Sequence, residues 1–259
     1  MNNALAPAVL AELPRFLTGE VLLAFDLDGT LAPIAPRPDA AVVPDDVQQL
    51  LAVLAARTPV AIITGRAQRD ARRMLWFTPR YIIGNHGAEG VPGDESAAPG
   101  YAALCRQWCA AVESSGILER IPGTLLEEKS YSLALHYRLA RDPEEARTAL
   151  LDVVATLAPP PRIVAGKRVL NLVPKAARHK GDALRALLGH AGVARALYIG
   201  DDVTDEDVFA LRLPGVRTIR VEPDPASAAD LFLKRQTDVV TFLREVTHIM
   251  GAAPMHARP

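Results

Sequence analysis

Cysteine is nearly absent: Cys105 and Cys109 are the only two in 259 residues. A disulfide framework is thereby excluded as the source of stability. Two thiols four residues apart on a helix-like stretch read instead as core residues of a protein from a reducing compartment. A cytoplasmic location is the expectation. An excess of charge is also lacking. The chain carries 29 Lys and Arg against 30 Asp and Glu, a formal net charge of −1. That balance gives no electrostatic basis for nucleic acid or an anionic membrane as the main partner. No apolar run reaches the roughly 18 residues that a membrane span needs. The stretch MNNALAPAVLAELPRF has no basic segment ahead of its apolar part and is interrupted by Pro7, Glu12 and Pro14, so it does not read as a signal peptide. His86, His136, His179 and His190 fall at no metal-ligand spacing. There are no internal repeats and no low-complexity tract.

What is present is an alternation of buried strands and helices. The 259 residues are enough for one large domain or two small ones, and 49% of them are hydrophobic, ample for a core. Val21 to Phe25 is continuously apolar, as a strand buried on both faces of a parallel sheet must be. It runs straight into FDLDGTLAPI, which places Asp26 and Asp28 just past the strand's C-terminal end, where ligands of open α/β sheets bind. A helix over 45–56 with Asp45 as N-cap, a strand over 59–63, a short basic helix and a strand in RYIIGNHG follow. This βαβαβ order predicts a parallel sheet with right-handed crossovers.

At residue 88 the texture changes to AEGVPGDESAAPG, a linker. Beyond it the pattern reads as a helix (about 101–114), strands (about 124–129 and 132–138), a helix capped by Asp142, and a hairpin in RIVAGKRVLNLV turning near Ala165 and Gly166. Near Pro174 the parallel pattern resumes, with a helix from about 180 to 189, the strand ALYIG, the turn DDVTDED, a helix, the strand VRTIRV and a last helix over 238–250. The expected architecture is therefore α/β. A Rossmann-like parallel-sheet core of residues 1–92 and 175–259 carries an inserted α+β cap of residues 93–174, in the order α-β-β-α-β-β.

Four clusters fall beside strand ends or helix starts: Asp26-x-Asp28-Gly29-Thr30, Thr64-Gly65-Arg66, Lys180-Gly181 and Gly200-Asp201-Asp202-x-Thr204-Asp205. Together they suit phosphoryl transfer. One aspartate attacks phosphorus, and a second acts as general acid and then base. Several carboxylates with only oxygen ligands suit Mg²⁺, and a lysine and a threonine hydroxyl can hold phosphate oxygens as charge builds. From spacing alone, Asp202 or Asp205 could instead cap the next helix, Thr64 could be a turn residue, and Lys180 could be a surface lysine beside Lys175 and Arg178.

In these four motifs, in this order, the chain resembles the haloacid dehalogenase superfamily of phosphohydrolases. The resemblance implies Asp26 as nucleophile, Asp28 as acid/base, and Thr64 and Lys180 as ligands of the transferring phosphoryl group. It implies Mg²⁺ held by Asp26, Asp28 through its carbonyl, and Asp201, with Asp202 and Asp205 completing the shell. In the insertion, strand alternation puts Glu127, Lys129, His136, Arg138, Lys167 and Asn171 on polar faces, suited either to a polyhydroxy ligand or simply to solvent. The stretches LLEEKSYSLALHYR, GKRVLNLVPKAARHKG and GNHGAEG resemble the trehalose-6-phosphate phosphatases. That resemblance implies sugar-phosphate contacts from Glu127, Lys129, Arg138, Lys167 and Asn171 in the cap. From the core it implies contacts from Gly65, Arg66, His86 and Gly87. Asn171 stands where that family usually has Glu. The implied activity is Mg²⁺-dependent hydrolysis of trehalose 6-phosphate to trehalose and phosphate through an aspartyl-phosphate, in trehalose biosynthesis, by a monomer. The alternatives are the same chemistry on another sugar or glycosyl phosphate, or a non-catalytic phosphatase-like binding domain.

Overall fold

The computed structural model describes residues 1–35, 37–94, 98–166 and 168–252. Its strands are β1 (Asn2–Asn3), β2 (Leu22–Phe25), β3 (Val60–Ile63), β4 (Tyr81–Ile83), β5 (Leu125–Glu128), β6 (Leu133–His136), β7 (Arg162–Gly166), β8 (Val169–Val173), β9 (Ala196–Gly200), β10 (Val216–Val221) and β11 (Leu231–Leu233). Its helices are α1 (Pro7–Leu17), α2 (Asp45–Ala55), α3 (Gln68–Arg73), α4 (Ala98–Ser114), α5 (Ile117–Arg120), α6 (Pro143–Ala155), α7 (Lys180–Ala191), α8 (Glu206–Phe209) and α9 (Asp238–Ala252). Two compact units result: residues 1–92 with 179–259, and residues 93–178.

The first unit is a seven-stranded parallel sheet in the order β1-β11-β10-β9-β2-β3-β4. Strand β2 explains why its sequence is apolar without alternation. Leu23 and Phe25 enter one core with Leu13 of α1, Leu51 of α2 and Phe242 of α9. Leu22 and Ala24 enter the opposite core with Leu184 and Leu187 of α7. Both faces are covered, so every residue of the strand is buried.

The second unit is a four-stranded antiparallel sheet in the order β5-β6-β8-β7. Leu133, Leu135, Leu170 and Leu172 share a core with Cys105, Trp108 and Val112 of α4 and with Leu150 and Val154 of α6. The Trp108 indole donates to the Pro159 carbonyl (2.9 Å). Asp142 caps α6 by accepting from the Glu144 and Glu145 amides. No helix among the described residues is long and apolar enough to cross a membrane.

Several expectations are corrected in detail. Asp45 is the first residue of α2, with Pro44 in the N-cap place. The β7–β8 hairpin pairs up to Gly166 and Val169, so its turn lies close to Ala165 and Gly166 as expected. Residues 175–178 pack with the second unit rather than the first, because Arg162 donates to the carbonyls of Ala177 and Arg178, and Arg178 forks the Asp94 carboxylate. Strands β1 and β11, helix α1, which contains Pro14, and the short helix α5 lie outside the sequence expectations.

Candidate active site

The chain leaves β2 in two directions: β3 and β4 lie on one side, and β9, β10 and β11 on the other. Such a switch point opens a crevice at the strands' C-terminal ends. Asp26, Thr64 and Asp201 are the first residues beyond β2, β3 and β9. The Asp26 amide donates to the Ile199 carbonyl (2.8 Å) and the Thr64 amide to that of Ile83 (2.9 Å), so both follow directly from the sheet ladder. The loop after Asp26 closes on itself, Gly29 N donating to Ala32 O and Ala32 N to Leu27 O. Gly29 has a φ of +85°, and a β-carbon there would run into the Asp201 carboxylate. Glycine lets these two loops meet.

Lys180 opens α7. His179 fixes that start with a capping box, accepting from the Asp182 amide at Nδ1 and donating its own amide to Asp182 Oδ2. Lys180 Nζ then lies 3.0 Å from Asp26 Oδ1 and 2.8 Å from Asp205 Oδ1. Asp205 is more than a ligand candidate. Its Oδ1 also accepts from Tyr198 Oη (2.5 Å), and its Oδ2 accepts from the amides of Asp201 and Asp202 (2.9 Å each). Tyr198 was missed in the sequence, where it reads as one more bulky residue of a buried strand.

Burial pushes the Asp26 carboxyl well above the usual carboxylate range, and Lys180 pulls it only part of the way back. Asp201 is pushed up to about 7, by burial first and by Asp205 second. Burial alone would lower the Lys180 ammonium, but Asp205 and Asp26 outweigh it and hold it above its usual range. Carboxylate oxygens of Asp26, Asp201 and Asp205 all lie within 4.8 Å of one another; Asp202 is not in this group. Three all-oxygen donors that share one ammonium, Lys180, keep an excess of negative charge that fits a hard divalent cation such as Mg²⁺. With the Asp205 oxygens accepting four hydrogen bonds, Asp26 and Asp201 have the oxygens left to give.

The segment after β4 packs on the Thr64 turn. His86 N donates to Thr64 O (3.0 Å), Asn85 N to Arg66 O (2.7 Å), and Arg66 N to Thr64 Oγ1 (3.2 Å). Glu89 Oε2 accepts from Gln68 N (2.7 Å) and Asn85 Nδ2 (2.8 Å), a second support that the sequence did not reveal. Asn85, His86 and Gly87 all have positive φ, at +50°, +58° and +108°. A β-carbon on Gly65 would overlap the His86 ring, and one on Gly87 would overlap the His179 backbone where α7 begins. His86 is therefore buried against the turn. Arg66 grips both oxygens of Asp28, Nε to Oδ2 and Nη2 to Oδ1, each at 2.6 Å.

Within the second unit, strand register puts Glu127, His136 and Asn171 on the face of the sheet away from its helices. Glu127 Oε2 is 2.8 Å from His136 Nε2 and 3.8 Å from Lys129 Nζ. Asn171 is buried, its Nδ2 donating to the Val164 carbonyl (3.3 Å). Arg138 is exposed in the turn after β6. Lys167 lies outside the described residues.

Residues 24–234 match the family model described as Trehalose-phosphatase. An uncharacterised glycosyl hydrolase of Mycobacterium tuberculosis is 36% identical over 97% of this chain, which spans 20% of that protein's length. A trehalose-phosphate phosphatase of the same organism is 32% identical over 90% of this chain and 63% of its own length. Among solved structures, the C-terminal domain of Candida albicans trehalose-6-phosphate phosphatase superposes with a TM-score of 0.77 at 25% identity, covering 98% of this chain and all of that domain (100%).

Proposed function

The chain belongs to the trehalose-phosphatase family of the haloacid dehalogenase superfamily, and we propose that it hydrolyses a sugar phosphate, trehalose 6-phosphate foremost, to free sugar and phosphate. The observation that carries this reading is Asp26, a buried carboxylate at the switch point with Lys180 Nζ on one of its oxygens. Asp26 attacks phosphorus, and the bond from phosphorus to the sugar oxygen breaks. Asp28 gives that oxygen its proton. Asp28 then takes a proton from water as the water attacks the aspartyl-phosphate, and Asp26 is released. Lys180 and Thr64 hold phosphoryl oxygens. Mg²⁺, held by Asp26, Asp201 and the Asp28 carbonyl, would offset the charge of the carboxylates and the phosphate. Asp205 keeps Lys180 and the 201–202 amides in place. In the cap, Glu127, Lys129, Arg138 and Lys167 would contact the sugar.

A second reading, another sugar or glycosyl phosphate, is favoured by Asn171, which offers a neutral amide where a Glu carboxylate is usual and already gives one amide hydrogen to the Val164 carbonyl. The test is phosphate release with Mg²⁺ over trehalose 6-phosphate, sucrose 6-phosphate, glucose 6-phosphate and glycosyl phosphoesters, with Asp26→Asn as control. The expected result is preference for trehalose 6-phosphate and loss of turnover in the variant. Preference for another ester selects the second reading. Turnover surviving in the variant sinks the nucleophile assignment, and silence on every ester favours a binding domain.

A further inference from the structure

Asp28 sits in an irregular loop, the third residue beyond strand β2, with its side chain partly open to solvent. An acid/base group must nonetheless meet its proton partner in one geometry, and a displacement of about 1 Å can cost about 100-fold in rate. Something has to hold it. The Arg66 fork takes both Asp28 oxygens at 2.6 Å, the planar, bidentate pairing that a lysine cannot reproduce. The fork is itself aimed from a fixed base. Arg66 N is tied to Thr64 Oγ1, Arg66 O to Asn85 N, and the next turn to Glu89 through Gln68 N. Asn85 and His86 hold left-handed φ values, with their amides donated to Arg66 O and Thr64 O.

We infer that Arg66 is the positioning residue for Asp28, rather than chiefly a sugar contact. The inference rests on the phosphatase reading above and assigns one side chain within it. It makes a distinct demand on leaving groups. Cleavage of a sugar ester uses Asp28 twice, to protonate the departing sugar oxygen and to deprotonate water. Cleavage of an aryl ester such as p-nitrophenyl phosphate uses it once, because the aryl oxygen departs without a proton.

The experiment compares wild type, Arg66→Lys and Arg66→Ala on trehalose 6-phosphate, glucose 6-phosphate and p-nitrophenyl phosphate with Mg²⁺. With orientation lost, kcat/KM, which reports formation of the aspartyl-phosphate and so the acid step alone, should fall about 100-fold on the sugar esters and about 10-fold or less on the aryl ester. Arg66→Lys should resemble Arg66→Ala, since the fork and not the charge matters. Millimolar guanidinium should restore part of the sugar-ester rate in Arg66→Ala. Equal losses on all three esters, or a rise in KM for the sugar esters with kcat unchanged, would overturn the inference. A wild type silent on all three would overturn the phosphatase reading itself, an outcome visible before any variant is made.

Discussion

Lys180 Nζ stands 3.0 Å from Asp26 Oδ1, and the two side chains are only 1% and 6% exposed. A cation and a carboxylate so far from water are stabilised only by each other and by their remaining partners. Here those partners are Asp205 and, through it, Tyr198.

Replacing Lys180 by Met should therefore damage both stability and chemistry. It leaves Asp26, Asp201 and Asp205 without their buried counter-charge, which costs about 3–5 kcal/mol. It also removes a donor to the transferring phosphoryl group, worth about 100- to 1,000-fold in kcat. Urea denaturation in metal-free buffer and phosphate release measure the two effects. A Lys180→Met protein as stable as wild type would show that the pair is not compensating buried charge.

Tyr198→Phe isolates a single hydrogen bond. The ring keeps its edge contact with Phe209 (6.0 Å between centroids), while Asp205 Oδ1 loses one of its donors. A lost hydrogen bond to a charged group should lower stability by about 1.5–3 kcal/mol. With Asp205 less constrained, Lys180 is less well aimed, so kcat should fall about 10-fold. Unchanged stability and rate would remove Tyr198 from the account of the site.

The acidic group makes a prediction about metal. An ion that binds only the folded chain raises stability by about 2.7 kcal/mol at a concentration of 100 times its Kd. Mg²⁺ should thus raise the denaturation midpoint, and EDTA should reverse the rise and stop phosphate release. Asp201→Asn should abolish the Mg²⁺-induced shift while leaving the metal-free midpoint equal or higher, because one of the crowded carboxylates is gone and Thr30 can still donate to the amide oxygen. A full Mg²⁺ shift in that variant would place the ion elsewhere.

These predictions draw unequally on what was legible in the sequence. Asp26, Thr64, Lys180 and Asp201 were legible because each borders an apolar run or a Gly-marked helix start, and a parallel sheet gathers such positions at one edge. The cap's two-layer pattern was legible from alternation, with Leu133, Leu135, Leu170 and Leu172 on one side. Strand β11, only Leu231 to Leu233, is too short to show a period. Helix α1 was obscured by Pro14. The partners that fix the site were hidden for a different reason. Arg66 to Asp28 and Glu89 to Gln68 join segments 38 and 21 residues apart, and nothing in local spacing reports that they meet; Tyr198 to Asp205 is only seven residues apart, but it depends on the turn after β9 folding back on its own strand. The burial of His86 against the Thr64 turn was equally hidden, because it shows only once the ring is seen to occupy the space a β-carbon at Gly65 would need.

The last prediction concerns pH and a thiol in the core of the second unit. Cys105 is fully buried in the cap core, and burial pushes its thiol up to about 12. In the unfolded chain it titrates near its ordinary value, about 8.5. Between about pH 9 and 12 the unfolded chain has lost this proton and the folded chain has kept it, so unfolding releases a proton and stability falls as pH rises. The slope approaches about 1.4 kcal/mol per pH unit for one group. Other groups titrate in the same range, so the test is a difference. Urea midpoints of wild type and Cys105→Val, measured at pH 8 and pH 10, should diverge, with the valine protein losing less. Below pH 8 the two should run parallel. Native Cys105 should also resist alkylation at pH 8, since only the thiolate reacts. Rapid labelling of Cys105 in the folded chain, or parallel loss of stability up to pH 10, would show that the thiol is not held in a dry core.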